Sequence, residues 1–377
     1  METIELPKTL YKEFALRLVD NKRKRIPLDG MIEVTCRCNF RCAHCYMPHE
    51  PVKPELSKEE LCDLIDVIAE EGGMWLTFTG GEPFVRPDFM DIYIHAKQRG
   101  LLSSIFTNGS LITPEVADQL VDFQPIMVSI TIYGATRETY QSVTGSPTSY
   151  DRTMRGIELL LERNIRLELK TIVMTLNKHE FWEMRKFAKE TGVKFRYDLF
   201  INAMIDGSHG PCEVRIPPGE AVELAIADED QLEDLKKFCG KFIGPPLEPD
   251  KVYGCGAGGY TYAIDSYGEL LLCLMLRRPS YSLLGDGLRE RFHRGFYDFF
   301  LEVRSQERTE KNYKCANCEL INLCNSCAGH ALLECGDPEG TVDYACEIAH
   351  LEMRELQKLG LVKVQPVEGR KRTGTDS

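Results

Sequence analysis

The chain has 377 residues, enough for one large domain and a smaller one, and an ordinary hydrophobic content of 43%. Its 58 acidic residues against 46 basic ones give a net charge of −12, which argues against nucleic acid as a partner, because phosphate binding needs a basic surface. No apolar run reaches the roughly 18 residues of a membrane span and no secretory signal opens the chain, so a cytoplasmic location with no membrane partner is expected.

Residues 1–27 read as an N-terminal extension. Short β-branched or aromatic runs then alternate with helical segments. GMIEVT (30–35), MWLTFT (74–79), LSSIFT (102–107), IMVSITI (126–132), IRLELKTIVM (165–174) and VKFRYDLFI (193–201) are predicted strands. Ser57 and Glu60 form a capping box, and Thr113 places an N-cap before the first-turn Pro114, so helices are predicted to start there. Strand alternating with helix implies parallel pairing with right-handed crossovers. The result is an α/β sheet or barrel with ligands at the carboxyl ends of its strands. About six such units are present, too few for a closed eight-fold barrel. This first domain is assigned to 28–215.

From 216 to 250, Pro/Gly-rich pieces around an acidic helix read as a linker. Residues 251–350 are cysteine-rich, and their short apolar pieces would bury little alone, so metal is expected to hold them together. Residues 351–377 are expected to form a C-terminal helix and a polar tail.

The 15 cysteines are the informative count, since clustered cysteines in a reducing cytosol are metal ligands or redox thiols. Four lie between 36 and 45 and eight between 255 and 346, with none from 63 to 211. Cys38, Cys42 and Cys45 follow a C-x3-C-x2-C spacing directly after the first predicted strand. Three thiolates on one tight loop can hold a metal cluster and leave one position open. A fragment of a structural zinc site is the alternative, although zinc knuckles pair two C-x2-C steps and this loop has one. Gly80-Gly81-Glu82-Pro83 ends the second strand. Glycines there let backbone approach a ligand, and a carboxylate can accept from an ammonium group; a plain turn is the other reading. Downstream, Cys315-x2-Cys318 and Cys324-x2-Cys327 are chelating pairs, with Cys255 and Cys273 before them and Cys346 after. Five residues separate the pairs, too few for a zinc ribbon.

Together these motifs resemble the radical S-adenosylmethionine superfamily, whose hallmark is C-x3-C-x-aromatic-C, with His44 in the aromatic place. The resemblance covers roughly 28–201 and implies a partial (β/α)6 TIM-type barrel. It implies a [4Fe–4S] cluster on Cys38, Cys42 and Cys45 with one open iron that binds S-adenosylmethionine. One electron then yields a 5′-deoxyadenosyl radical, which abstracts hydrogen from substrate. The cofactor-binding positions it implies are His44, Gly80, Gly81, Glu82, Thr107 and Asn108 of a TNG turn, and Ser129 of VSITIYG. Ser129 is equally readable as a strand hydroxyl. Where relatives often carry Arg-Gly, this chain has Thr144-Gly145.

The downstream cysteines resemble a SPASM domain, apart from an x2 step to Cys327 where the pattern has x3. That implies two auxiliary [4Fe–4S] clusters, one on Cys255, Cys273 and Cys327 and the other on Cys315, Cys318, Cys324 and Cys346, three clusters in all. Two auxiliary clusters want eight ligands and seven are placed. The first is therefore open at one iron, completed by a non-cysteine ligand, or completed by Cys335. Cys36 falls outside the first frame and is read as a bystander, because a fourth thiolate would close the site. No residue stands out as a general acid or base.

Many SPASM proteins act on peptides, so the resemblance implies an oxidoreductase-type maturase of a ribosomally made peptide, forming a crosslink, thioether or epimer. Its expected partners are the precursor peptide, a reductant such as flavodoxin or ferredoxin, and a separate leader-binding protein, since only about 27 residues precede the core. The alternatives are a radical dehydrogenase or decarboxylase of a small molecule or haem-type precursor, and a non-catalytic iron–sulfur electron carrier.

Overall fold

Each β-branched run of the first half folds as a strand because its alternate residues find helices to bury against. A computed structural model describes residues 25–48, 50–242, 250–309, 314–315, 318–321, 323–324 and 326–362, with backbone alone for 238–242. The strands are β1 (Asp29–Glu33), β2 (Trp75–Thr79), β3 (Leu102–Thr107), β4 (Met127–Thr131), β5 (Leu167–Ile172) and β6 (Lys194–Asp198). They lie in the order β6-β5-β4-β3-β2-β1, every pair parallel. This is the six-unit partial barrel that the family resemblance implied, built from the strand–helix alternation.

One core joins the outer faces of these strands to the helices. Ile32, Leu76, Phe78, Ile105, Val128, Ile130 and Leu169 cluster with Leu61, Leu64, Ile68, Leu120 and Leu160. The helix starts have the predicted chemistry. The Ser57 hydroxyl accepts from the Glu60 amide at 3.1 Å, and the Glu60 carboxylate accepts from the Ser57 amide at 2.8 Å. Thr113 accepts from the Val116 amide at 3.3 Å with Pro114 in the first turn.

Beyond the sixth unit the sheet grows from its other edge. Strand β7 (Thr261–Ile264) pairs parallel to β1, and β8 (Glu269–Leu271) and β9 (Tyr281–Ser282) follow antiparallel. Residues 251–309, whose short apolar pieces were expected to bury little, contribute an aromatic and aliphatic core. Tyr262 packs edge-on against Phe292 and Phe296 at 5.5 and 5.9 Å, and Leu270 and Phe300 are fully buried. Strands of two to four residues carry too few periods to stand out in the sequence.

The described residues within Met1–Arg215, Lys251–Thr309 and Cys327–Gly340 form one compact unit. Those within Ile216–Asp250, Glu310–Ser326 and Thr341–Ser377 form a second. In the second, the stretch expected as a linker folds into helices Pro218–Ala227 and Glu229–Phe242, which bury Ala221, Val222 and Ala225. Pro218 opens a helix there, where a missing amide hydrogen costs nothing. Helix Asp343–Lys358 belongs to the same unit. Most of the N-terminal extension, the polar tail beyond 362 and the Cys239 side chain lie outside the described residues. Among the described residues, no helix is long and apolar enough to cross a membrane.

Ile32 is fully buried on β1, which pairs with both β2 and β7. Ile32→Ala should cost about 3 kcal/mol and lower the thermal midpoint. Val52→Ala, at a position 82% exposed, should change stability by no more than about 0.5 kcal/mol.

Candidate active site

After Glu33 the chain leaves β1 and turns into the segment that carries Cys38, Cys42 and Cys45. Backbone bonds fix this loop. The Arg41 amide donates to the Thr144 carbonyl and the Ala43 amide to the Val143 carbonyl, both at 2.9 Å, and Cys45 donates to the Cys42 carbonyl at 3.0 Å. Thr144 also donates its hydroxyl to the Tyr140 carbonyl at 2.7 Å, so it braces the loop from behind.

Burial is the largest influence on the thiols, pushing Cys38 up to about 11 and Cys42 higher still. Negative charge on neighbouring sulfurs adds to it, since Cys42 senses Cys45 and Cys38, and Cys38 senses Cys45. Desolvated thiols this close become thiolates together only beside a cation, so the donor set suits an iron–sulfur cluster. Among the described residues, no three His, Cys, Asp or Glu side chains meet at metal-ligand spacing. His44 is buried, its ring centroid 5.3 Å from that of Tyr133, and burial pushes its pKa down to about 4, so it is a neutral aromatic packing group. Cys36 has other partners. Its Sγ lies 3.5 Å from the Tyr267 hydroxyl, and its amide donates to Glu55 at 2.6 Å.

The loop after β2 crosses directly over the cysteine segment. The Gly81 amide donates to the Thr35 carbonyl at 2.8 Å and the Glu82 amide to the Arg37 carbonyl at 2.9 Å. A Cβ on Gly80, whose φ is +138°, would run into the Thr35 carbonyl oxygen, and one on Gly81 into those of Arg37 and Cys36. Only glycine permits the crossing.

Glu82 is tied into the frame around the cysteines. It is fully buried, and its Oε1 accepts from the Thr107 hydroxyl at 2.7 Å and the Phe84 amide at 3.2 Å, while Oε2 accepts from the Asn108 amide at 2.7 Å. Burial outweighs these bonds and pushes its pKa up to about 7. A carboxylate bonded in this way fastens the TNG turn. Asn108 passes the fastening on. Its Nδ2 donates to the Asn39 side chain at 2.9 Å, and Asn39 lies between Cys38 and Cys42.

Ser129 on β4 is also fully buried, and its hydroxyl donates to Glu168 Oε2 at 3.3 Å. Glu168 in turn meets Lys194 at 3.3 Å and Arg196 at 2.8 Å. These charged residues, and Lys170 beside them, escaped the sequence reading because strand residues of one face carry no motif.

The seven cysteines expected to hold auxiliary clusters divide by compact unit. Cys255, Cys273 and Cys327 belong to the first and Cys315, Cys318, Cys324 and Cys346 to the second. Cys273, raised by burial, senses Cys327 and Cys255. Cys324, raised by burial to about 12, senses Cys346, Cys315 and Cys318. Burial also raises Cys327, but hydrogen bonding and charge from His330 outweigh it, and this thiol ends below the ordinary value. The C-x2-H step from Cys327 to His330 was the available signal for that partner. Arg277, four residues past Cys273, clamps the buried Glu33 of β1 at 2.6 and 2.7 Å.

The family model of the radical SAM superfamily matches residues 32–188. Mycofactocin maturase MftC of Mycobacterium tuberculosis is 30% identical over 331 residues, covering 85% of this chain and 83% of that protein. AdoMet-dependent heme synthase of Methanosarcina barkeri is 27% identical over 333 residues, 81% of this chain and 92% of the relative. Among solved structures, Streptococcus suis SuiB bound to precursor peptide SuiA superposes with a TM-score of 0.66 at 17% identity, over 90% of this chain and 80% of that one.

Gly81→Ala places a methyl group against the Arg37 carbonyl. The variant should fold but hold about one [4Fe–4S] cluster fewer after anaerobic reconstitution, measured as iron per chain against the unaltered protein.

Proposed function

The chain belongs to the radical SAM superfamily, and from that premise we propose that it matures a ribosomally made peptide by forming a crosslink, thioether or epimer. Membership implies S-adenosylmethionine and a [4Fe–4S] cluster. A cluster on Cys38, Cys42 and Cys45 supplies, when bound, the electron that cleaves S-adenosylmethionine to a 5′-deoxyadenosyl radical, which takes hydrogen from the substrate.

The chain's own residues supply placement. Gly80 and Gly81 keep the floor of the site free of side chains, and Ser129, Thr107 and Asn108 border the cofactor. Glu82 holds the TNG turn and, through Asn108 and Asn39, the cysteine loop, so that the cofactor meets a fixed frame. Two auxiliary clusters in electron transfer or substrate binding complete the proposal. Cys315, Cys318, Cys324 and Cys346 hold one. Cys255, Cys273 and Cys327 hold the other, with His330, Cys335 or substrate at its fourth iron. The partners are a precursor peptide, a flavodoxin- or ferredoxin-type reductant and a separate leader-binding protein, in the cytoplasm.

The similarity to a maturase at 30% identity across 85% of the chain carries the peptide reading. A second reading, a radical enzyme acting on a haem-type precursor, is favoured by the heme synthase relative, of which 92% is covered.

Reduced, reconstituted protein mixed with a short peptide encoded beside it should release 5′-deoxyadenosine and change the peptide's mass or stereochemistry. Consumption of a haem-type precursor with every such peptide left unchanged would refute the peptide reading. Cys42→Ala should abolish S-adenosylmethionine cleavage. Cys318→Ala should retain part of that cleavage but stop product formation, with both followed by chromatography of the nucleoside and mass spectrometry of the product.

A further inference from the structure

The inner face of β5 and β6 carries a set of cations, and we propose that Lys170, with Arg196 and Lys194 beside it, holds a carboxylate of the substrate. The proposal deepens the reading above, since it presumes that the barrel interior receives the substrate.

Strand register builds the set. Phe106, Ser129, Glu168 and Lys194 lie side by side across β3 to β6, and Thr131, Lys170 and Arg196 form the next row toward the carboxyl ends of the strands. The intervening Ile130 and Leu169 face the buried core, so both rows face the barrel interior. Arg196 and Lys194 share one carboxylate, Glu168, at 2.8 and 3.3 Å, and their side chains remain 53% and 69% exposed.

Lys170 has no such partner. Its ammonium lies 3.5 Å from the Phe106 ring centroid, and no hydrogen bond or ion pair reaches it among the described residues. Burial, followed by the charge of Arg196, pushes its pKa down to about 8 against the smaller opposing charge of Glu168. Asp198, the next acidic side chain along β6, accepts from the Phe200 amide at 2.8 Å.

A half-buried ammonium that rests on an aromatic ring, with an arginine on the next strand, is poorly compensated within the fold. A carboxylate placed between Lys170 and Arg196 would accept charge-assisted bonds from both. Glu168 close by disfavours a dianion such as phosphate, which selects a singly charged group. Such a group is offered by an acidic or C-terminal carboxylate of a peptide and by a propionate of a haem-type ring.

Calorimetric titration of the reconstituted full chain, with S-adenosylmethionine present, separates these sources. The probes are a short peptide encoded beside the gene and an iron porphyrin bearing propionates, each with its carboxyl groups free or methyl-esterified. One free acid should bind at least about tenfold more tightly than its ester. The gap should close to about twofold or less in Lys170→Met and narrow in Arg196→Gln, with S-adenosylmethionine affinity held within about twofold in both. A gap for the porphyrin alone would refute the peptide reading and leave the carboxylate assignment standing. No gap for either acid, a gap that survives both variants, or a matching loss of S-adenosylmethionine affinity would overturn the assignment. The ester comparison uses unaltered protein, so a folding defect in Lys170→Met leaves the test intact.

Discussion

Glu82 has no exposure to solvent, and a carboxylate so placed costs several kcal/mol unless donors surround it. Here the donors come from two neighbouring segments: the amide of Phe84, and the hydroxyl and amide of the TNG turn. The backbone of Glu82 is meanwhile bonded across to Arg37. One side chain and its amide thereby tie the ends of β1, β2 and β3 together at the carboxyl edge of the barrel. The frame around the three cysteines draws on this knot, because Asn108, held by Glu82, donates to Asn39 inside the cysteine loop, and Asn39 donates on to Ser110.

A second buried charge joins the first sheet segment to the later one. Glu33 ends β1 and is nearly without exposure, yet it is met at two points by Arg277, 244 residues away. The bidentate pairing offsets desolvation better than a single contact would. It also sets the chain that carries Cys273 against the strand that leads to Cys38, within one compact unit. The aromatic cluster of Tyr262, Phe292 and Phe296 supplies the apolar burial that this extension needs.

These two fastenings leave the inner faces of β4 to β6 free for another task. Ser129, Glu168, Lys170, Lys194 and Arg196 are charged or polar in a place where a purely structural barrel would be filled with aliphatic side chains. Radical chemistry needs its substrate held so that one hydrogen faces the reactive centre. In the proposal above, the cations of β5 and β6 provide that hold.

The sequence by itself determined the local features. The C-x3-C-x2-C loop, the six strands, the Ser57 and Thr113 caps and the glycines after β2 all follow from spacing and periodicity within a few residues of one another. The grouping of the downstream cysteines came from the SPASM resemblance alone; Cys255, Cys273 and Cys327 lie in one compact unit and Cys315, Cys318, Cys324 and Cys346 in the other. Tertiary structure decided what neighbours across long stretches of chain: that Glu82 is a fastener, that Cys36 points to Tyr267, that Arg277 meets Glu33, that β7 extends the sheet beside β1, and that Lys170 rests on Phe106. A residue's type states which bonds it can make, but burial and the donors within reach choose among them. Those are set by segments whose separation in sequence carries no periodic signal.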